Sequence, residues 1–287
     1  MRNLFLLLLV IGAYACSPSE VTYEEYVPDY SIQKQALASL LEEHPIEVVV
    51  HRGANHLAPE NTFAAAVKAI ELGVDYVEID VHRSLDGVHY IMHDLGLGRT
   101  TDGWGPILLR KSAYIDQLDA GSWFGEAYAG EKVPRLEEYL RWIKGKAKVY
   151  LDVKTADLEE VVRLIHELEM EQDTFFWFWS DNMLEEFRAM APELRIKINA
   201  HSVEEIIEAK EEYGANIIEC DVAEISPEMV HICDSLGIQI MAYATTNTKE
   251  EFRAVIQSHA DLVNLDKPSL YLEVLQNVRD SLKVLQQ

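Results

Sequence analysis

Two histidines, two carboxylates spaced two apart, and an acid–base pair with the same spacing are the side chains of this sequence best suited to chemistry. His51 precedes Arg52 and Gly53, Glu78 and Asp80 sit in the run VEIDV, His93 follows YIM, and Asp152 and Lys154 belong to YLDVK. On a strand, residues two apart point the same way. Glu78 and Asp80 therefore share one face, while Val77, Ile79 and Val81 take the other. Carboxylates on a buried face are costly unless something positive meets them, and a hard divalent cation does so through oxygen ligands. Asp152 could complete an oxygen triad, with Lys154 aimed at whatever the cation binds; the plainer alternative is a buried Asp–Lys pair without function. Two imidazoles flanking such a centre suit general acid–base work, because a group with a pKa of about 6.5 can take and give a proton near neutrality. Either histidine alone reads as a satisfied structural residue. It is their convergence on a carboxylate pair that favours catalysis. Neither has zinc spacing, and an all-carboxylate set favours Mg2+ or Ca2+. Arg52 could grip phosphate oxygens as a planar fork.

These residues need a scaffold that brings them together. Short apolar runs at 46–50, 76–81, 149–153, 175–179, 196–199, 217–221, 238–242 and 262–265 alternate with helical patterns such as 62–72, 158–169, 182–190, 203–213, 227–236 and 249–258. Strands alternating with helices predict an α/β fold, a TIM-type (β/α)8 barrel, over one domain spanning 31–287, with a helix at 32–43 covering one end. No repeat, low-complexity segment or second core is visible. The alternation fails between Val81 and Val149, where a Gly-, Trp- and Tyr-rich excursion is too long for an ordinary connection, as functional rim loops often are. Its start reads as a hairpin, since Asp86-Gly87 is a strong two-residue turn signal. That turn would set Leu85 opposite Val88 and, counting outward, His93 opposite Asp80, with Cβ atoms about 5 Å apart.

The net charge of -24 argues against binding nucleic acid, because a polyanion would be repelled. An anionic substrate then requires a locally positive site, through basic residues or a bound cation. At the N-terminus, Arg2 and the apolar run 4–11, followed by AYAC, are too short to span a bilayer and read as a signal peptide over 1–15. A cysteine after small residues resembles the bacterial lipoprotein signal, with lipid on Cys16, although Ala13 stands where that pattern usually has leucine; an ordinary secretory signal is the alternative. Residues 16–30 are polar and acidic, an expected tether between a membrane anchor and the folded body. The expectation is an exported, membrane-anchored protein facing the periplasm or cell surface. Cys220 and Cys233 read as two buried thiols rather than a disulfide.

Taken together, HRGANHLAPENT, VEIDVHRSLDGVHYIMHD and GRTTDGWGPI resemble the glycerophosphodiester phosphodiesterases, whose pattern runs HRG, PENT, an E-x-D strand, a DG turn, HD and RTT-x-G-x-G. The resemblance covers about residues 47 to 270. It implies a barrel hydrolase that uses a divalent cation to release glycerol 3-phosphate and an alcohol from small glycerophosphodiesters. On these residues it matches His51 and His93 to the acid–base pair, Arg52 to the phosphate-binding arginine, and Glu78 and Asp80 to metal ligands. Glu60 and Asn61 match supporting positions. Three departures stand out. Asp152 replaces the usual glutamate, the seventh-strand WTVN appears as Ala244-Thr245-Thr246-Asn247 after Tyr243, and the last-strand T-D-x-P as Leu265-Asp266-Lys267-Pro268. The last two leave the alcohol specificity open. Two alternatives therefore remain: a related barrel phosphodiesterase acting on inositol or sphingolipid head groups, and a lipid-anchored protein that binds a phosphodiester without cleaving it.

Overall fold

The computed structural model of the chain describes residues 45–283. The expected signal peptide, Cys16, the acidic tether and the helix at 32–43 lie outside the described residues.

Eight strands close on themselves. They are β1 (Glu47–Val50), β2 (Tyr76–Arg83), β4 (Lys148–Thr155), β5 (Thr174–Phe178), β6 (Arg195–Asn199), β7 (Ile217–Asp221), β8 (Gln239–Tyr243) and β9 (Leu262–Leu265), with β3 (His89–Ile91) outside the ring. Each barrel strand pairs in parallel with its neighbours, and the β1–β2 pairing shuts the cylinder. The expected (β/α)8 barrel is what the chain forms. Connecting helices pack outside, and those after β4, β5, β6, β7 and β8 begin on side-chain caps: Asp157, Ser180, Ser202, Ser226 and Thr248 each accept a backbone N–H of the first turn.

The period-two pattern sorts the strands into two environments. Outward residues such as Val77, Ile79, Val81, Leu151, Phe176, Ile196 and Val263 pack under the helices in the main core. Inward residues Val49, Tyr76, Tyr150, Phe175, Ile217, Met241 and Leu262 form an apolar floor inside the cylinder. One pleat further toward the C-terminal ends, the inward positions change character. His51, Glu78, Asp152, Trp177, Lys197, Glu219, Tyr243 and Asn264, one from each strand position around the barrel, line a cavity of about 340 Å3. Stacked inward layers of this kind are how such barrels fill their interiors, and the C-terminal end is where they carry active sites.

The excursion after β2 is more ordered than the sequence pattern suggested. It holds a helix at Leu136–Ile143, which buries Leu136, Tyr139, Leu140 and Ile143 against the main core. It also builds a small satellite core from Tyr90, Met92, Leu97, Ile107, Ile115, Leu118, Ala120 and Val133.

The hairpin register differs from the expected one by one residue. β2 and β3 pair Val81 with Ile91, His82 with Tyr90 and Arg83 with His89. The loop is therefore Leu85-Asp86-Gly87, closed by Ser84: the Ser84 N–H donates to Val88 O at 2.8 Å and the Gly87 N–H to Ser84 O at 3.1 Å. Gly87 takes φ +88°, the left-handed residue that a three-residue hairpin loop requires. Ser84 also uses its side chain, accepting the Val88 N–H at 2.9 Å and donating to Asp86 at 2.9 Å. As a result Met92, not His93, lies across from Asp80, with its N–H on the Asp80 carbonyl at 2.9 Å. Cys220 and Cys233 are buried free thiols, each pushed up to about 12 chiefly by burial.

Candidate active site

Glu78, Asp80 and Asp152 offer one carboxylate oxygen each within 4.8 Å of one another, and all three are buried. The sheet dictates this: β2 and β4 pair with Asp80 directly beside Asp152, and Glu78 is one pleat below Asp80 on the same face. Burial pushes Glu78 up to about 8, reinforced by the charge of Asp80. Burial and Asp80 push Asp152 up to about 6, against the pull of Lys154. Two of the protein's own cations reach the cluster. Lys154 contacts Asp152 and stands 3.1 Å from Asp80 Oδ1, and Arg52 Nε is 3.6 Å from Asp80 Oδ2. Asp80 Oδ1 and Asp152 Oδ1 are nonetheless buried without a hydrogen bond among the described residues. Three hard oxygen donors, two of them buried without a hydrogen bond among the described residues, fit a divalent cation such as Mg2+ or Ca2+.

Arg52 and Gly53 turn the chain sharply at the end of β1. Arg52 itself holds φ +56°, a strained conformation for a residue with a Cβ and one found preferentially at functional sites. The turn points the Arg52 N–H at Glu78 Oε2, 2.6 Å away, and the Arg52 carbonyl at the Asn61 N–H. Gly53 follows at φ +73°, and a Cβ there would come within 2.8 Å of Ala65 Cβ and 3.0 Å of its carbonyl carbon. No other residue fits without shifting the helix Phe63–Glu71. Asn61 donates from Nδ2 to Asp80 Oδ2 at 2.7 Å and accepts the Asp80 N–H at 3.2 Å, so it holds Asp80 by both side chain and backbone. Glu60 accepts from Arg52 Nη1 at 3.1 Å and from both terminal nitrogens of Arg99 at 2.7 and 2.8 Å. Glu60 is held below its ordinary range because these two guanidinium groups outweigh its burial.

Each histidine is oriented by an aspartate. His51 Nδ1 is 2.9 Å from Asp266 Oδ1, and His93 Nδ1 is 2.7 Å from Asp94 Oδ1. Asp94 is pushed down to about 2 by Arg99 and by His93. Burial raises Asp266, but His51 and Asn55 more than reverse that and hold it low. An ionised carboxylate only accepts, so Nδ1 carries the proton in both rings and Nε2 is left to exchange one. Burial alone would lower His51, yet the Asp266 hydrogen bond and the charge of Glu78 raise it on balance. His51 lines the cavity at the barrel mouth beside Glu78 and Asp152. His93 lines a separate, smaller cleft with Glu60 and Asn61, and connects to Asp80 through Asp94, Arg99, Glu60 and Arg52.

Sequence reasoning did not assign Asp94, Asp266, Asn55, Arg99 or His82. Asp94 and Arg99 lay inside quoted motifs, and Asp266 was noted only as part of a departing one. Asn247 shows why that aspartate is well placed: its Oδ1 accepts the N–H groups of Asp266 and Lys267 at 2.8 and 3.1 Å, pinning the end of β9. His82 bonds the His93 carbonyl at 3.0 Å through Nε2. At the mouth, Lys154 Nζ lies 5.4 and 5.1 Å from the ring centres of Trp177 and Trp179.

Fold and site together define a parallel barrel whose C-terminal mouth gathers buried carboxylates, basic side chains and the aspartate-oriented His51, with the aspartate-oriented His93 tied to them through an ion-pair chain. Residues 51–191 match the glycerophosphoryl diester phosphodiesterase family. A glycerophosphodiester phosphodiesterase of Caldanaerobacter subterraneus subsp. tengcongensis is 30% identical over 240 residues, covering 80% of this chain and 97% of that one. The crystal structure of a glycerophosphodiester phosphodiesterase from Agrobacterium tumefaciens C58 is 39% identical with a TM-score of 0.77, covering 79% of this chain and 99% of that one. An Oleispira antarctica phosphodiesterase in complex with the product sn-glycerol-3-phosphate is 28% identical with a TM-score of 0.72, covering 82% and 98%. This chain belongs to the glycerophosphodiester phosphodiesterase family.

Proposed function

We propose that the protein hydrolyses small glycerophosphodiesters to glycerol 3-phosphate and an alcohol, with a divalent cation held by Glu78, Asp80 and Asp152. The observation that carries this reading is the buried carboxylate triad, two of whose oxygens lack a hydrogen bond among the described residues, set beside Arg52, Lys154 and His51. The Oleispira relative with its bound product supports the choice of substrate. When bound, the cation supplies fixed positive charge against the phosphate and the charge developing on it. Lys154 and Arg52 bind the phosphate oxygens. His51 and His93 move the protons through Nε2, one taking a proton from the attacking oxygen and the other returning one to the departing alkoxide. Glu60 and Asn61 keep Arg52 and Asp80 in register. The test is release of glycerol 3-phosphate from a panel of glycerophosphodiesters: EDTA should abolish it, and Mg2+ or Ca2+ should restore it. Turnover indifferent to EDTA, or no release with any divalent ion, overturns the reading.

The same proposal extends to location. The export signal and Cys16 support a lipid-anchored protein on the periplasmic or outer face, since more than one acyl chain is what durable anchoring needs. In cells, Cys16→Ser should move the protein from the membrane to the soluble fraction. Unchanged fractionation would sink the anchor.

A further inference from the structure

The inward layer at the barrel mouth is divided. His51, Glu78 and Asp152 face the cavity from β1, β2 and β4, whereas Lys197, Glu219 and Asn264 face it from β6, β7 and the end of β9. The phosphate chemistry proposed above uses only the first group. The second is a polar cluster buried in its own right: Lys197, Glu219 and Asn264 are 3%, 8% and 4% exposed.

The bonds within this cluster are specific and incomplete. Lys197 Nζ donates to Glu219 Oε2 at 2.6 Å and to Asn199 Oδ1 at 2.7 Å. Its ammonium, with three hydrogens to donate, has no third oxygen partner among the described residues and otherwise meets the rings of Trp177 and Tyr150 at 4.9 and 5.6 Å. Asn264 Nδ2 donates to Glu219 Oε1 at 2.9 Å, which fixes the amide's orientation, because the reverse would set two oxygens against each other. Asn264 Oδ1 is therefore an oriented acceptor, buried and without a hydrogen-bond partner among the described residues. A core built only for packing would fill these positions with apolar residues, as the layer below does, since a buried ion pair is weak evidence for stability. A buried acceptor and an under-used ammonium on one cavity wall ask for a ligand group that both donates and accepts. A hydroxyl does both.

We propose that Lys197, Glu219 and Asn264 form a hydroxyl-binding subsite for a polyol alcohol of the diester, which makes them specificity determinants. The proposal rests on the phosphodiesterase reading for the position of the phosphate, and it names the chemistry recognised beside it. The face of Trp177 gives the complementary exclusion. A quaternary ammonium would seek that ring, but Lys197 and Lys154 already stand 4.9 and 5.4 Å from its centre, so like charge opposes it there. The subsite also bears on the departure noted at 243–247. With Tyr243 and Ala244 in place of tryptophan, the polar wall of β6, β7 and β9 supplies the selectivity.

The experiment compares two substrates in one variant series. Glycerophosphoglycerol carries hydroxyls on both alcohols; methyl p-nitrophenyl phosphate carries none. Asn264→Leu should lower kcat/KM for the first by about tenfold or more, as expected for losing one buried hydrogen bond, and leave the second within about twofold. Asn264→Ser serves if the leucine variant fails to fold. Equal loss on both substrates, or no loss on either, overturns the subsite. If the wild-type protein cleaves neither diester, the phosphodiesterase reading fails instead, and calorimetry then decides the subsite without turnover. The asparagine variants should weaken intact glycerophosphoglycerol about tenfold and leave intact methyl p-nitrophenyl phosphate unchanged; parallel changes overturn the subsite.

Discussion

Replacing His51 by alanine is expected to lower kcat toward glycerophosphodiesters by about a hundredfold or more, with metal affinity unchanged because His51 is not among the three carboxylate ligands. His93→Ala should have an effect of the same order. The hydrogen bonds to aspartate separate proton transfer from mere packing. Asp266 holds the His51 proton on Nδ1, so Asp266→Asn, which can turn an amide N–H toward that nitrogen, drives the proton to Nε2 and removes the base. That variant should lose at least about tenfold in kcat with little change in KM. Asn55 donates to the same Asp266 oxygen at 2.7 Å, so the carboxylate stays placed in His51→Ala and the loss reports the imidazole. Initial rates with calorimetric metal titrations check all three. Near-normal turnover in both histidine variants would remove the acid–base assignment.

The barrel was legible because its strands obey a strict period: outward Val77, Ile79 and Val81 alternate with inward Tyr76, Glu78 and Asp80, and the same rhythm recurs in each apolar run. That period put Glu78 and Asp80 on one face and Asp152 with Lys154 on one face of the next strand. Asp152 sits beside Asp80 because strand pairing in a closed parallel sheet leaves it nowhere else. The hairpin register was not legible. An Asp-Gly pair normally makes the whole turn, but here Ser84 closes a longer loop through its own hydroxyl, and one residue of slip exchanges the faces. The orienting aspartates were missed for a different reason: Asp266 and His51 are 215 residues apart, and only barrel closure between β1 and β9 brings them together. Lys197 and Glu219 carried a signal that could have been read. Each is a charged residue flanked on its strand by apolar neighbours, Ile196 and Ile198 or Ile218 and Cys220, the same signature that identified Glu78 and Asp80.

Glu78→Gln should make the metal-free protein more stable while abolishing metal-dependent turnover. Glu78 is fully buried and stands at about 8 in the folded chain, above its ordinary 4.5, because burial and the charge of Asp80 disfavour the anion. A carboxyl raised on folding contributes its full stability below the unfolded value, and that contribution is lost as pH rises from 4.5 toward 8. At pH 7.5 most of the loss has accrued. Glutamine cannot ionise, and it can still accept the Arg52 N–H that now reaches Glu78 Oε2. The variant should therefore be more stable in EDTA by on the order of 2 kcal/mol, or roughly 4–8 °C in Tm for a chain of this size. At low pH the two proteins should converge. Saturating Mg2+ reverses the order, since a ligand at about a hundred times its Kd stabilises the wild type by about 2.7 kcal/mol and the variant lacks one of three carboxylates. Thermal melts of both proteins at pH 5 and 7.5, with and without metal, read all of this directly. Equal Tm values in EDTA at pH 7.5 would mean that the carboxylates are not under electrostatic load. Equal gains with Mg2+ would mean that the triad does not hold the ion. A site that destabilises its own fold until a cation arrives is one whose layout is explained by binding, not by packing.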